Sequence, residues 1–170
     1  TGLSGSGKST IAKKVQHSLV AKGFRVEVID GDEYREGLCS DLGFSKEDRN
    51  TNIRRLGFVG KILARNDVVT IMSAINPYEA VRKEVRQMSG RSKTVFVDCD
   101  LEELKKRDPK GLYAKARAGE ILQFTGVSDP YESPERAELV IDTSKVTLAQ
   151  TCQQILDYLV RRGLIDAIHT

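Results

Sequence analysis

Eight residues at the head of the chain, Gly2-Leu3-Ser4-Gly5-Ser6-Gly7-Lys8-Ser9, satisfy every fixed position of the phosphate-binding pattern GxxxxGK[ST]. The glycines let the backbone curl so that successive N–H groups point inward at phosphate oxygens. Lys8 has the reach to meet β- and γ-phosphates, and the Ser9 hydroxyl can ligate Mg²⁺. The sequence predicts a helix from Lys8 to about Ala21. Its positive N-terminal end adds to the same phosphate site. Gly2, Leu3, Ser4, Gly5, Ser6, Gly7, Lys8, Ser9 and Thr10 are therefore the candidate ATP-binding run.

A kinase-type reaction also needs acids. Asp30 and Asp32 stand two residues apart after an alternating run, Phe24 to Ile29, that reads as a strand entering a turn. One carboxylate can hold Mg²⁺ through water while the other orients or deprotonates an attacking hydroxyl. Asp32 lies further along the turn and is the expected base. Lys8, Asp30 and Asp32 are the catalytic candidates, and Ser9 with Asp32 is the expected metal pair.

Arg35, Arg49, Arg54 and Arg55 follow, with Arg49 and Asn52 three apart on one predicted helical face. Guanidinium groups suit bidentate contact with phosphate or sulfate, so this cluster reads as an anion pocket; a solvated helix face is the competing reading. Phe44 and Phe124 fall in loop-like settings, where they can stack on a flat ring or pack into the core. On the residues alone, core packing is the stronger reading. Lys105 to Tyr113, with Lys115 and Arg117, is cationic and carries Pro109 and Gly111 as hinges. It reads as a lid closing over phosphate charge.

The elements that must position these groups alternate strand and helix. Val68–Met72, Thr94–Val97 and Glu138–Ile141 read as further strands. Helices are expected from Ser45 as N-cap to about Arg65, from Pro77 through about Met88, from Leu101 to Arg107 and from Thr147 to Val160. Gly111 to Pro134 is the least regular stretch, and about 105–134 is expected to be lid and substrate loop. The pattern predicts an α/β fold of three layers, α/β/α, with a central parallel sheet covered on both faces and a mobile lid. Ligands in such sheets sit beyond the carboxyl ends of the strands. That rule places the glycine-rich loop, Asp30-Gly31-Asp32, Ser73-Ala74-Ile75-Asn76 and Asp98–Asp100 on one rim. A phosphate loop of this type follows a strand, so an additional strand upstream of Thr1 is expected, and any targeting signal would lie there too.

Composition bounds the rest. The chain has 170 residues, with 27 Lys+Arg against 24 Asp+Glu for a net +3. Folding at this size buries about 70% of the unfolded surface, enough for one domain without metal or disulfide staples. So small a charge, with 6% aromatics, excludes a nucleic-acid-wrapping surface, and no apolar run is long enough to span a membrane. Cys39, Cys99 and Cys152 lack metal or disulfide spacing, which suits a reducing compartment such as the cytoplasm. His17 and His169 form no metal-spaced pair.

Taken together, the chain resembles the adenylylsulfate kinase family. The resemblance spans nearly its whole length. It rests on the glycine-rich loop, Asp30-Gly31-Asp32 with Arg35, and Asp41-Leu42-Gly43-Phe44-Ser45. Glu47-Asp48-Arg49, Asn52-Ile53-Arg54-Arg55, Asn76-Pro77-Tyr78, Asp108 through Tyr113, Phe124-Thr125-Gly126 and Asp129-Pro130-Tyr131-Glu132 complete it. The glycine-rich loop is generic, whereas the ordered set of the others is specific. The resemblance implies ATP-dependent, Mg²⁺-assisted phosphorylation of the 3′-hydroxyl of adenosine 5′-phosphosulfate. It implies that Arg35, Arg49 and Asn52 hold the phosphosulfate and ribose end. Phe44 and Phe124 would sandwich the adenine, and Ile75, Asn76, Lys110 and Thr125 would line the same pocket with Asp32. Arg107 and the Lys110 region would form the lid on the ATP side. The family is typically homodimeric and serves sulfate assimilation.

Asn76 and Ala74 depart from the pattern, since many members carry Ser and Phe there. That Ser is described as the site of a phosphoserine intermediate. An amide cannot take a phosphoryl group as a hydroxyl can, so direct in-line transfer is expected, with Asn76 hydrogen-bonding the acceptor or a water. Two alternatives stand: another small-metabolite kinase with the same phosphate loop, and a nucleotide-binding domain without turnover.

Overall fold

The computed structural model describes residues 1–165, and His169 lies outside the described residues. Helix α1 (Lys8–Val20) buries Ile11, Ala12, Val15 and Leu19, the stripe that a 3.6-residue period dictates. Strand β1 (Val26–Asp30) runs into a short helix, α2 (Gly31–Arg35), and then into the long α3 (Lys46–Arg65). Strand β2 (Val69–Ser73), helix α4 (Glu79–Ser89), strand β3 (Val95–Asp98) and helix α5 (Leu101–Arg107) follow. Helix α6 (Leu112–Arg117), strand β4 (Leu139–Asp142) and helix α7 (Leu148–Arg161) complete the order.

All pairing is parallel. β1 pairs with β2 from Val26↔Val69 to Asp30↔Ser73, and β3 pairs with β4 from Val95↔Leu139 to Asp98↔Asp142. Thr1 joins the two pairs. Its N–H donates to Val95 O at 2.9 Å, and its carbonyl accepts from Val97 N–H at 2.8 Å. Its hydroxyl donates to Ile75 O just past β2.

The strands are apolar on both faces because helices cover both. On one side α1 and α7 bring Ile11, Val15, Leu19, Cys152 and Ile155 onto Val97 and Ile141. On the other, α3 and α4 bring Ile53, Leu56, Val81 and Val85 onto Ile29. This is the three-layer α/β/α arrangement with parallel strands. A third, smaller cluster of Cys99, Leu104, Tyr113, Ala116 and Phe124 lies beneath the expected lid.

Three local expectations are corrected. Asp30-Gly31-Asp32 is not a plain turn: the Asp30 carboxylate accepts from Asp32 N–H and caps α2. Within the stretch read as irregular, Asp108 accepts from the N–H groups of Tyr113 and Ala114 and starts α6. Helix α4 begins at Glu79 rather than Pro77, and the Glu132 carboxylate caps it from across the chain at Glu79 N–H.

α3 and α4 approach closely at Gly57. A Cβ built there would lie 2.8 Å from both Cγ atoms of Val85, which belong to a stiff β-branched side chain. Gly57→Ala should therefore destabilise by about 1–2 kcal/mol, overpacking outweighing the gain in helix propensity. Thermal unfolding checks this, and Val85→Ala in the same chain should recover part of the loss.

Candidate active site

The rim beyond the strand ends begins with α1. Helices α2, α3, α5 and α7 are capped by their own Asp30, Ser45, Asp100 and Thr147, while α4 and α6 receive Glu132 and Asp108. Only α1, among the described helices, has no side-chain acceptor at its start. Gly7 holds the N-cap position at φ 95°, and the first turn carries no acid. Unpaired N–H groups and the positive end of the helix dipole are left open to an anion. That is the physical content of the candidate phosphate loop.

Lys8 Nζ donates to Leu3 O at 2.7 Å, spanning the loop it belongs to. Burial pulls its pKa down to about 8, opposed by Asp32 and Asp30 and assisted by Lys110. Ser9 Oγ donates to Asp30 Oδ2 at 2.6 Å and lies 3.3 Å from Ser73 Oγ. These hard oxygen donors suit Mg²⁺, which takes few protein ligands and keeps several waters. The structure differs here from the expectation that Ser9 pairs with Asp32. The carboxylate on Ser9 is that of Asp30, because Asp30 ends β1 level with Ser73 on β2. Asp32, in the first turn of α2, points its carboxylate elsewhere and accepts from Lys110 Nζ at 2.6 Å. Lys110 is held in its charged form by that contact. The pair is exposed on both sides and adds little to stability. It nevertheless joins the lid segment to the candidate base.

Arg49 organises the side where the acceptor is expected. Ser45 caps α3 and sets Arg49 in its first turns, where the side chain is buried. Nε donates to Phe44 O at 2.8 Å and Nη1 to Thr125 Oγ1 at 2.8 Å. Nη2 donates to Gln123 O, and Asp129 Oδ2 lies 3.5 Å from Nε. One guanidinium thus ties the Phe44 loop to the Phe124 loop. The Phe44 ring is 57% exposed, with the Arg35 guanidinium 4.5 Å from its centroid and that of Arg49 at 5.7 Å. Arg35 also donates to Gly43 O. Phe124 behaves differently: it is buried and meets Tyr113 edge-on at 5.0 Å. The two rings expected to act alike are one open platform and one wall packed into the core.

Asn52 and Asn76 are buried, and the Oδ1 of each has no protein partner. Leaving a buried acceptor unpaired costs about 1–3 kcal/mol, which a bound donor would recover. Asn76 also takes the left-handed region at φ 48°. It ends the run Ser73-Ala74-Ile75-Asn76. That run packs against α2, where a Cβ on Gly31 would meet Ala74 Cβ at 3.1 Å. It also meets the phosphate loop, where Gly2 N–H faces Ile75 O at 3.5 Å. Arg107, expected on the ATP side, donates to Thr143 O beyond β4 at 3.1 Å. Thr143 Oγ1 in turn donates to Ser6 O at 3.2 Å.

Sequence reasoning gave no role to Tyr78, Arg82 or Asp129. Tyr78 OH donates to Asp129 Oδ2 at 3.0 Å, and Arg82 binds two backbone carbonyls of the same region. Only Glu79, three residues before Arg82, hinted at an ion pair along α4.

Ser9, Asp30 and Ser73 meet beyond the ends of β1 and β2, and Lys110 reaches Asp32 beside them. The family model described as adenylylsulphate kinase matches residues 1–142. The chain belongs to the adenylylsulphate kinase family. An adenylyl-sulfate kinase of Halothermothrix orenii is 48% identical over 98% of this chain and 90% of its own length. A probable bifunctional SAT/APS kinase of Sorangium cellulosum is 49% identical over 99% of this chain, but over only 30% of its own. Among solved structures, the Mycobacterium tuberculosis APS kinase CysC in complex with AMPPNP and APS superposes with a TM-score of 0.89. It is 43% identical, with 94% of each chain covered. No described helix is long and apolar enough to cross a membrane.

The Lys8 pKa yields a prediction with a definite sign. Below pH 8 the ammonium is intact in the free protein; above it the cation is lost. kcat/KM for ATP should fall as pH rises through about 8. Bound phosphates stabilise the charge, so the same limb in kcat should lie higher. Lys8→Arg, charged throughout, should remove the limb from the kcat/KM profile.

Proposed function

We propose that the chain transfers the γ-phosphoryl group of ATP to the 3′-hydroxyl of adenosine 5′-phosphosulfate, giving 3′-phosphoadenosine 5′-phosphosulfate. The observation that carries this reading is a juxtaposition. Ser9, in the first turn of the uncapped α1, meets Asp30 at the end of β1, and α2 leads from Asp30 to Arg35, whose guanidinium stands with that of Arg49 against the exposed Phe44 ring. A donor triphosphate and an acceptor with both an aromatic base and an anionic tail match those two halves.

On this reading, residues Gly2 through Thr10 hold the phosphates and Arg107 lies over the nucleotide side. Lys8 stabilises charge as it develops on the transferring group. Ser9 and Asp30 would hold Mg²⁺, and the ion would supply neutralisation of phosphate charge. Asp32 accepts or orients the acceptor hydroxyl proton. Its partner Lys110 must first be drawn off that carboxylate, and the sulfate-bearing anion is the natural competitor for the lysine. Phe44 and Phe124 bracket the adenine, Arg35 receives the phosphosulfate, and Asn52, Ile75, Asn76 and Thr125 complete the pocket. Arg49 serves chiefly by holding both loops, since three of its five N–H groups are already engaged by protein atoms. Transfer is direct: the rim position of Asn76 offers an amide, not a hydroxyl, so no phosphoenzyme forms there. Catalysis then rests on placement and preorganised charge. We read the protein as a cytoplasmic homodimer; three buried free thiols suit a reducing compartment.

Phosphoryl transfer from ATP should be measured with adenosine 5′-phosphosulfate, 5′-AMP, gluconate, shikimate and cytidine as acceptors. Turnover confined to the phosphosulfate is the expected result. Turnover on another acceptor instead would discard the substrate assignment. ATP binding without transfer to any acceptor would favour a binding domain. Asp32→Ala should lower kcat by about 10²–10⁴-fold while leaving ATP affinity within a few-fold. Incubation with γ-labelled ATP alone should leave no label on the protein.

A further inference from the structure

Arg82 has no place in the chemistry described so far, yet it is a buried arginine on α4 with every branch of its guanidinium committed. Nη1 donates to Asn76 O at 2.6 Å, and Nη2 donates to Glu132 O. Nε donates to Glu79 Oε2 at 2.9 Å, and the ring of Tyr131 stands 5.9 Å away. Tyr131 stacks on Phe96 of β3, and its hydroxyl lies 3.0 Å from the Thr1 hydroxyl at the entry to the phosphate loop. Glu132 N–H donates to Pro77 O, one residue beyond Asn76.

Two features make these contacts more than packing. Asn76 is held at φ 48°, a conformation that a non-glycine residue keeps only when its surroundings over-determine it. The carbonyl that Arg82 grips is that of Asn76 itself, and Thr1 Oγ1 also approaches it, at 3.3 Å. In addition, the amide Oδ1 of Asn76 is buried without a protein partner, an acceptor reserved for a group the protein does not supply. The second carbonyl, Glu132 O, belongs to the irregular segment that continues from the Phe124 loop. A planar fork fixes two carbonyls in a set geometry, whereas the rotatable donors of an ammonium on a flexible stem impose none.

We propose that Arg82 is a positioning residue for the acceptor substrate. It clamps the left-handed backbone of Asn76 to the 129–132 segment, so that the Asn76 amide and the Phe124 loop are preset for the acceptor. This rests on the acceptor being the phosphosulfate nucleotide proposed above. Arg82 itself touches neither substrate. Loss of its bidentate grip therefore acts on acceptor binding, through Asn76, and not on the phosphate loop.

The test compares wild type, Arg82→Lys and Glu79→Gln in steady-state transfer. Calorimetric binding of adenosine 5′-phosphosulfate and of a non-hydrolysable ATP analogue accompanies it. Arg82→Lys should raise KM and Kd for the phosphosulfate at least tenfold, while KM for ATP stays within twofold and kcat falls less than KM rises. Glu79→Gln weakens the ion pair but leaves both carbonyl contacts, and should keep KM for the phosphosulfate within threefold. If Arg82→Lys does not fold, Glu79→Gln/Arg82→Gln removes both buried charges and one carbonyl contact; the same selective rise is expected. An unchanged acceptor KM in the folded variant overturns the proposal. So does an equal rise for ATP and acceptor, which marks a merely structural role. If wild type binds no phosphosulfate, the functional reading fails and this proposal with it. If wild type turns over and Arg82→Lys matches it, only the role of Arg82 fails.

Discussion

The proposed acceptor half of this molecule depends on guanidinium groups that satisfy backbone carbonyls where no ladder can. Between α6 and β4 the chain runs for some twenty residues without a helix or named strand. Its carbonyls still need donors once they are covered. Arg49 supplies one for Gln123 and Arg82 one for Glu132, and each guanidinium also holds a carbonyl of a second irregular segment, Phe44 O and Asn76 O. Arginine suits this task because its charge is permanent and its donors lie in a rigid plane. Both arginines leave helices of the same layer, α3 and α4, which pack tightly at Gly57 and Val85. The pocket wall is therefore referenced to the rigid core and not to the lid.

The donor half follows a different rule. There the structure withholds partners. α1 is left without a cap while the other described helices each receive one, and Lys8 is buried enough to depress its pKa. Both are unfavourable in the free protein, and on the proposed reading a polyphosphate relieves them. The two halves meet at the ends of β1 and β2, whose register sets Asp30 beside Ser73. From there Asp30 faces Ser9 at the start of α1, and Asp32 faces Lys110 between α5 and α6. Two carboxylates two residues apart are thereby given different neighbours.

Much of this was legible in the residues. The phosphate loop is a contiguous run, so its chemistry can be read without knowing the fold. The alternating apolar runs and capping residues placed the main strands and helices to within a few positions, because period and cap are local properties. Ser45 before α3 and Thr147 before α7 are examples. Short elements escaped: α2 and α6 are five and six residues long, too short to show a periodicity. Each is fixed instead by one aspartate cap.

By itself, then, the sequence determined the layer architecture, the phosphate loop and the family, since each is written in local spacing or in motif order. Tertiary structure alone decided which partner each side chain takes. That Asp30 rather than Asp32 meets Ser9 is a matter of strand register. That Phe124 is core wall while Phe44 is open platform depends on what packs behind each ring. Arg82 was invisible as a functional residue because both carbonyls it holds lie in segments of irregular backbone, one of them 50 residues away in sequence. Contacts to backbone leave no complementary residue type in the sequence to be recognised, so only the folded chain displays them.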